Sequence, residues 1–187
     1  MNILTVNSLR KTFNGNDVIK DLSFSIKEKQ IFGFLGKNGA GKTTTMKIIL
    51  GFLKADCGEI LVFDEKVHFG NTKTNRFIGY LPDVPEFYDY MTSKEYLKLC
   101  GEITGLSKSE IKERTEEMLN LVGLKDENKR LGKFSRGMKQ RLGIAQALFN
   151  RPKLLICDEP TSALDPIGRK EILDILLKIK EHTTVLF

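Results

Sequence analysis

Strand-like stretches alternate with turns over the first third of the chain. Residues 3–6, 18–26 and 59–63 alternate apolar and polar positions or run apolar, which predicts a small antiparallel sheet. Residues 30–35 and residues 153–157 each begin with one polar residue and continue as an unbroken apolar run, as is typical of buried strands. The pattern therefore predicts strands of two kinds, half-buried ones in one sheet and fully buried ones in the core.

A helical period replaces the strand pattern between about residues 84 and 149. Two capping-box spacings, beginning at Thr92 and at Ser107, mark the starts of helices. One face of the second helix is formed by Ile111, Thr115, Met118, Leu119 and Val122. Further along, Asp165 and Pro166 have the order of an N-cap and a first helical residue, which predicts a helix to about residue 181.

These elements predict a single domain over residues 1–187, with an α/β core that is split by a helical insertion. Residues 1–83 and 150–187 form the core with its β subdomain. Residues 84–149 form the helical subdomain. We find neither an internal repeat nor a flexible linker in the sequence.

The segment GKNGAGKTT at residues 36–44 lies between a predicted strand and a helix predicted over residues 42–50. A glycine-rich turn in this setting points successive backbone N–H groups at phosphate oxygens, on the N-terminus of a helix. Lys42 adds a positive charge, and the Thr43 hydroxyl is able to ligate Mg²⁺. A flexible glycine turn is the alternative, but the strand and helix around it favour a nucleotide site.

Two adjacent carboxylates, Asp158 and Glu159, end the apolar run at residues 153–157. This order predicts a core strand that delivers acids to its carboxyl end, where ligands bind in α/β sheets. Asp158 is able to hold Mg²⁺ directly or through water, and Glu159 to polarise an attacking water as a general base. Adjacent acids by themselves are more often a solvated turn, and the phosphate loop elsewhere in the chain favours the functional interpretation.

Ser135 has the position of an N-cap before another amphipathic helix. The apolar face of that helix is formed by Met138, Leu142, Ala145 and Phe149, which are spaced at helical intervals. Its N-terminus is a second place that is able to hold an anion. An ordinary capped amphipathic helix is the favoured interpretation when the segment is taken alone.

Together these segments resemble the ATP-binding cassette (ABC) family, from about residue 4 to residue 187. In this resemblance residues 36–44 are the Walker A motif, residues 134–138 the signature motif, and residues 154–158 Walker B followed by the catalytic Glu159. Residues 162–165 match the D-loop, and Phe13 stands where the family places an aromatic ring against adenine. The resemblance implies a P-loop NTPase core with a small antiparallel β subdomain and an inserted α-helical subdomain.

The resemblance also implies the site residues. Those expected to bind the nucleotide are Phe13, Gly36, Lys37, Asn38, Gly39, Ala40, Gly41, Lys42, Thr43, Thr44, Ser135, Gly137 and Asp165. Thr43 and Asp158 are expected to hold Mg²⁺, and Glu159, Lys42 and Asp83 to take part in catalysis. Asp83 occupies the Q-loop position, where most members have Gln, and Arg136 and Met138 depart from the family signature.

By this resemblance the chain is the ATP-binding and ATP-hydrolysing subunit of a transporter, with ATP and Mg²⁺ as cofactors. The acidic Asp83 resembles antibiotic and multidrug exporters of the bacitracin-resistance type, which favours export. The implied partners are a transmembrane permease subunit and a second nucleotide-binding domain, in a head-to-tail homodimer closed by ATP. The implied location is the cytoplasm, on the inner face of the cell membrane. The aromatic residues 84–91 are either a packed loop or the groove that receives the permease.

Two other functions remain open, an ABC-type ATPase that works without a membrane partner and a nucleotide-dependent regulator. The 93 positions between Lys42 and Ser135 (135 − 42) leave no room for the long insertions of DNA-repair relatives. The formal net charge of +6 is spread along the chain, which favours a solvated surface and no nucleic-acid partner. Small basic clusters could also face anionic lipid.

The remaining composition fits one soluble domain. The 187 residues are 41% apolar, and they contain neither an apolar run long enough to span a bilayer nor a signal peptide. Three cysteines, Cys57, Cys100 and Cys157, lack metal-site spacing and are expected to be reduced thiols. His68 and His182 do not fit the family's switch histidine. We therefore expect a C-terminally truncated cassette that binds ATP and hydrolyses little of it alone.

Overall fold

Two four-stranded sheets organise the chain in a computed structural model, which describes residues 1–37, 39–162 and 164–187. The strands are β1 (Asn2–Phe13), β2 (Asn16–Lys27), β3 (Ile31–Phe32), β4 (Cys57–Val62), β5 (Glu65–Lys66), β6 (Ile78–Leu81), β7 (Leu154–Cys157) and β8 (Thr184–Leu186). The α-helices are α1 (Lys42–Ile49), α2 (Ser93–Ile103), α3 (Lys108–Leu121), α4 (Arg136–Leu148) and α5 (Pro166–Ile179).

The first sheet is antiparallel, with the order β2-β1-β4-β5. Leu4 in β1 lies opposite Ile26 of β2 on one side and Val62 of β4 on the other, and all three are buried. The antiparallel sheet predicted from the sequence is confirmed. β1 is longer than predicted, because its polar second half continues to pair with β2 as far as Phe13.

The second sheet is parallel, with the order β3-β8-β7-β6. All four residues of β7 are buried. Leu155 and Cys157 pack into one apolar cluster with the helical subdomain and α5, whereas Leu154 and Ile156 pack into a second cluster with α1 and the antiparallel sheet. The parallel sheet therefore lies between two cores, in the α/β P-loop NTPase fold that the sequence predicts.

Both predicted capping boxes are present at the starts of α2 and α3. Thr92 and Ser107 each accept a hydrogen bond from the backbone N–H three residues on, and the glutamate there bonds back. The five residues predicted for the inner face of α3 and the loop after it are all buried. Asp165 caps α5 as predicted, and α5 ends at Ile179, slightly before the predicted end.

One predicted boundary is wrong. The strand expected over residues 30–35 is only Ile31–Phe32. Backbone hydrogen bonds continue on both sides of it, from the Val185 N–H to the Gln30 carbonyl at 2.9 Å and from the Phe34 N–H to the Phe187 carbonyl at 2.5 Å, so the chain leaves the sheet only after Phe34 to enter the phosphate loop. Residues 84–91 contain neither helix nor strand, and α2 begins after the Thr92 cap, where the sequence predicts its start.

Helix α4 packs closely on β6 at two glycines. A Cβ built on Gly79 would lie 2.1 Å from the Ala147 carbonyl oxygen, and one on Gly143 would lie 2.5 Å from Leu81 Cδ1. This approach places the helical subdomain directly on the parallel sheet.

No helix in the described ranges is long and apolar enough to cross a membrane.

The three cysteines are free thiols in different surroundings: Cys57 is exposed, Cys100 is half-buried and Cys157 is buried. Burial raises the pKa of the Cys157 thiol far above its ordinary value. Burial also raises the pKa of Cys100, against a smaller lowering by its hydrogen bond with Tyr96. Cys157 is thus a core residue, as predicted.

Candidate nucleotide site

The phosphate loop connects β3 to α1, and two of its glycines have left-handed backbones. Gly39 has φ 84° and Gly41 has φ 89°, a conformation that favours glycine. A Cβ at Gly41 would also lie only 3.0 Å from the Val18 carbonyl oxygen in β2. The close approach at Gly41 therefore places the turn against the antiparallel sheet. Asn38 lies outside the described residues.

Lys42 is the first residue of α1, and its ammonium turns back into the loop. Nζ donates hydrogen bonds to the carbonyl oxygens of Gly36 at 2.9 Å and Lys37 at 3.4 Å. Glu159 Oε1 lies 3.4 Å from the same nitrogen. The positive charge is thus held beside the helix N-terminus, where an anion is favoured.

Thr43 meets Asp158 at the same helix end. Its Oγ1 donates a hydrogen bond to Asp158 Oδ1 at 2.9 Å, although the two residues are 115 positions apart. Octahedral ligands about 2.1 Å from Mg²⁺ lie about 3.0 Å from each other (2.1 × √2). The two oxygens therefore have the spacing of adjacent Mg²⁺ ligands, and one hydroxyl with one carboxylate suits an ion that also takes phosphate oxygens.

Asp158 is 4% exposed at the end of β7. Burial raises the pKa of its carboxyl group, the Thr43 hydrogen bond opposes this, and the charges of Glu159 and Asp83 raise it further. The ionised carboxylate is therefore disfavoured in the protein alone. A bound cation would favour the ionised form and reverse the shift.

Glu159 has a left-handed backbone with φ 47°, which is uncommon for a residue with a side chain. Its carbonyl accepts a hydrogen bond from the Ser162 N–H at 2.9 Å, closing a turn directly after β7. Strained residues of this kind are frequent at functional sites. The turn directs the carboxylate towards Lys42 rather than into the core.

A second polar group lies at the ends of β6 and β7. Asp83 accepts a hydrogen bond from the Ser162 hydroxyl, and Arg136 Nη2 lies 3.9 Å from the same oxygen, Asp83 Oδ1. These contacts join segments that are far apart in sequence. Ser162 was identified only as part of the D-loop match, and no local pattern predicted its contact with Asp83 or the ion pair, because neither partner is recognisable without the other.

The other predicted residues lie around these two groups. Phe13, at the end of β1, is 41% exposed, and the Lys11 ammonium lies 5.1 Å from its ring centroid. Ser135 caps α4 by accepting from the Met138 N–H at 3.2 Å. Asp165 caps α5 by accepting from the Gly168 N–H at 2.9 Å.

The residues expected to bind the nucleotide do not all converge. Lys42, Thr43, Asp158 and Glu159 form one connected group. Within residues 1–37, 39–162 and 164–187, no side-chain hydrogen bond or ion pair joins Ser135 or Asp165 to that group. One chain therefore presents a candidate phosphate site and, without a bond to it in the described residues, an exposed helix N-terminus at Ser135.

Residues 19–162 match the family model described as "ABC transporter". The chain belongs to the ABC transporter family. The matched segment contains the phosphate loop, Asp158 and Glu159, so the residues that form the connected group are the ones that the family model covers.

Several curated relatives are similar over almost the whole chain. An uncharacterized ABC transporter ATP-binding protein, YxlF of Bacillus subtilis, is 46% identical over 99% of this chain and 61% of its own length. The bacitracin transport ATP-binding protein BcrA of Bacillus licheniformis is 43% identical over 99% of this chain and 60% of its own. The chain thus spans about three fifths of the length of these relatives.

Solved structures of the family share the fold. One is cbiO1 from Clostridium perfringens, part of the ABC transporter complex cbiONQ, with a TM-score of 0.88 and 28% identity. That match covers 99% of this chain and 77% of cbiO1. An ATP-binding subunit of an ABC transporter matches with a TM-score of 0.83 and 30% identity, over 98% of this chain and 78% of its own.

Proposed function

We propose that this chain binds Mg-ATP and is the ATP-hydrolysing subunit of a transporter. The observation that carries the proposal is the convergence of Lys42, Thr43, Asp158 and Glu159 at the N-terminus of α1. A positive charge, a hydroxyl–carboxylate pair and a second carboxylate meet there. These are the groups that phosphoryl transfer from a nucleotide to water requires.

In this proposal the backbone N–H groups of the phosphate loop and Lys42 hold the phosphates. Mg²⁺, when bound by Thr43 and Asp158, neutralises charge on the phosphate oxygens. Lys42 lies against the Glu159 carboxylate and the loop carbonyls in the protein alone. A phosphate would compete for Lys42, which would free Glu159 to accept a proton from the attacking water. Phe13 stays a predicted adenine contact.

The proposed active form is a head-to-tail dimer of two copies of this domain. Ser135 and Gly137 lie at the start of α4, where Ser135 is exposed and separate from the Lys42 group. Such a helix N-terminus attracts anions. Ser135 and Gly137 of one copy would therefore close over the terminal phosphate held by the other copy.

The names of the relatives support coupling to transport. BcrA is named a bacitracin transport protein and cbiO1 a part of a transporter complex. By analogy, the proposed partner is a transmembrane permease, the proposed direction is export, and the proposed location is the cytoplasmic face of the membrane. Val84, Tyr88 and Tyr90 are exposed, as a surface that receives a permease requires.

Glu159→Gln tests the proposal. The variant should bind Mg-ATP with at most a severalfold change in affinity, because the Lys42, Thr43 and Asp158 contacts remain. It should accumulate as a dimer, since the general base that ends the ATP-bound state has been removed. Sedimentation velocity with and without Mg-ATP measures the dimer, and a fluorescent ATP analogue measures binding.

Glu181→Gln, at an exposed position beyond α5, is the matched control and should show no added dimer. In a longer form of the protein that turns ATP over, a Glu159→Gln variant that hydrolyses ATP at the parent rate would contradict the general-base assignment. A variant that binds Mg-ATP tightly and remains monomeric at every concentration would contradict the dimer.

A further inference from the structure

Asp83 connects three segments that the proposed function uses. It follows β6 and accepts a hydrogen bond from the hydroxyl of Ser162, which lies three positions after Glu159. Its Oδ1 is also 3.9 Å from Nη2 of Arg136, the first residue of α4. One carboxylate therefore joins the end of β6, the turn after β7 and the start of the helical subdomain's last helix.

The first turn of α4 is held by packing on one side and by this polar contact on the other. Further along, Leu142 and Ala145 are fully buried and fix the helix against the core. In the first turn, Phe134 and Met138 pack on the same core, whereas Ser135 and Arg136 are exposed. The contact of Arg136 with Asp83 adds a polar link between this exposed side of the helix end and the sheet edge.

We propose that Asp83 is a positioning residue that acts through Arg136 and Ser162. It holds the start of α4 in the orientation in which Ser135 and Gly137 meet the nucleotide of a second copy. This inference rests on the proposed function, because it concerns the ATP-dependent dimer. It assigns Asp83 a task that requires no contact with ATP.

The size of the effect follows from the exposure of the pair. The two side chains are 49% and 46% exposed, and an ion pair of that exposure changes an equilibrium constant by up to about fivefold. A symmetric dimer contains the pair twice. Loss of the pair should weaken dimerisation by about 2- to 25-fold, with no equivalent change in nucleotide binding.

The test uses the full chain with Glu159→Gln as the parent. Asp83→Asn keeps an acceptor for the Ser162 hydroxyl and removes the charge that faces Arg136. Arg136→Gln removes the other charge, and the double variant removes both. The matched control is Glu171→Gln, which breaks an ion pair of 3.6 Å between Arg141 of α4 and α5, away from the helix start.

Each single variant should weaken the Mg-ATP-dependent dimer, measured by sedimentation equilibrium. The double variant should be no weaker than the worse single one, because the two charges act as a pair. Affinity for the fluorescent ATP analogue should stay within about twofold, and the Glu171→Gln control should dimerise like the parent. Asp83→Glu, which restores a carboxylate, should recover most of the dimer.

The alternative outcomes separate the two proposals. If the parent dimerises and Asp83→Asn dimerises equally well, the positioning role is overturned and the proposed function stands. If Asp83→Asn loses nucleotide affinity in step with the dimer, Asp83 acts at the nucleotide, which also overturns the positioning role.

If the parent does not dimerise, the proposed dimer fails, and urea unfolding without nucleotide tests the contact itself. If the midpoint changes of the two single variants add up to the change in the double variant, the two residues act independently, and the Asp83–Arg136 pair is overturned as well. A double variant that is no less stable than the worse single one would support the contact.

Discussion

Asp158 destabilises the folded protein when it is ionised, and its proposed role explains why it is nevertheless buried. Its carboxyl group is buried at the end of β7, and burial raises its pKa above the ordinary aspartate value. A raised carboxyl pKa means that ionisation of Asp158 lowers the free energy of unfolding at neutral pH. This destabilisation shrinks as the pH falls below the folded-state pKa and is absent below the unfolded-state pKa. The buried carboxylate therefore makes the folded protein less stable at neutral pH, and it forms a site that a cation would occupy.

Asp158→Asn should therefore stabilise the protein at pH 7 in the presence of EDTA. The amide oxygen still accepts the Thr43 hydrogen bond, and the buried charge is gone. Urea unfolding should show a higher midpoint for the variant, with a difference that shrinks as the pH is lowered. The exposed Asp126→Asn is the control and should show no such pH-dependent gain. An unchanged or lower midpoint at pH 7 would contradict the burial argument.

Lys42→Ala should remove stabilisation by the nucleotide. Lys42 is the positive charge held inside the loop by two carbonyls and Glu159. A ligand at about 100 times its dissociation constant stabilises the folded state by about 2.7 kcal/mol, which raises the melting temperature by several degrees. We expect this rise with Mg-ATP in the parent, and about none in the variant at the same concentration.

The exposed Lys37→Ala changes a neighbouring lysine of the same loop and is the comparison for Lys42→Ala. It should keep most of the rise in melting temperature, because Lys37 contributes its backbone carbonyl to the Lys42 contact. Equal melting curves for parent and Lys42→Ala, with and without Mg-ATP, would rule out the phosphate-loop proposal.

At the residue scale, the sequence predicted the site where a motif is continuous. The glycine turn with Lys42 and Thr43 is local, and so is the pair that follows an apolar strand, Asp158 and Glu159. The contacts around Asp83 were not predictable, because Ser162 lies 79 positions away and Arg136 lies 53 positions away (136 − 83). Ion pairs between exposed side chains leave no periodic signal in the sequence.

The packing of α4 on β6 depends on a missing side chain at Gly79. An added Cβ would lie 2.1 Å from the Ala147 carbonyl, which is backbone and is held within the helix. Gly79→Ala should lower the free energy of unfolding by about 2 kcal/mol or more, since the helix must move away from the sheet. Gly33→Ala is the matched control, because a Cβ there meets nothing within 4 Å. Equal unfolding midpoints for the two variants would contradict the close approach.

Arg114 joins α3 to the end of α4. It is 5% exposed, and its guanidinium donates to the Phe149 carbonyl at 3.0 Å and the Leu148 carbonyl at 2.7 Å. Arg114→Met should lower the free energy of unfolding by about 3 kcal/mol, because two buried carbonyls lose a charged donor. The exposed Arg76→Met should lower it by about 1 kcal/mol or less. A smaller loss for Arg114→Met than for Arg76→Met in urea would contradict this role.

At the scale of elements, the sequence located helices better than strand ends. The caps at Thr92, Ser107 and Asp165 were predictable because a cap is a local hydrogen bond between a side chain and the next turn. The short length of β3 was not predictable, because the end of this strand depends on where the phosphate loop leaves the sheet. Arg114 was also missed, because a buried arginine satisfied by carbonyls has no sequence pattern.

At the scale of the whole molecule, the parallel sheet divides the apolar interior. Helices α2 to α5 pack on one of its faces, and α1 with the antiparallel sheet packs on the other. The carboxyl ends of β6 and β7 then lie where both halves meet, and Asp83, Asp158 and Glu159 follow those ends. The order of the elements was predictable from alternating strand and helix patterns. The assignment of each sheet face to one of the two apolar clusters was not predictable, because it depends on contacts between distant segments.

The different surroundings of the three thiols make the chain a ready substrate for site-specific labelling. A maleimide reacts with an accessible thiolate, so Cys57 should be modified first, Cys100 slowly and Cys157 only on unfolding. A dye could thus be attached to the antiparallel sheet without any substitution. Energy transfer between this dye and a fluorescent nucleotide would then report when the nucleotide is bound and when it is released.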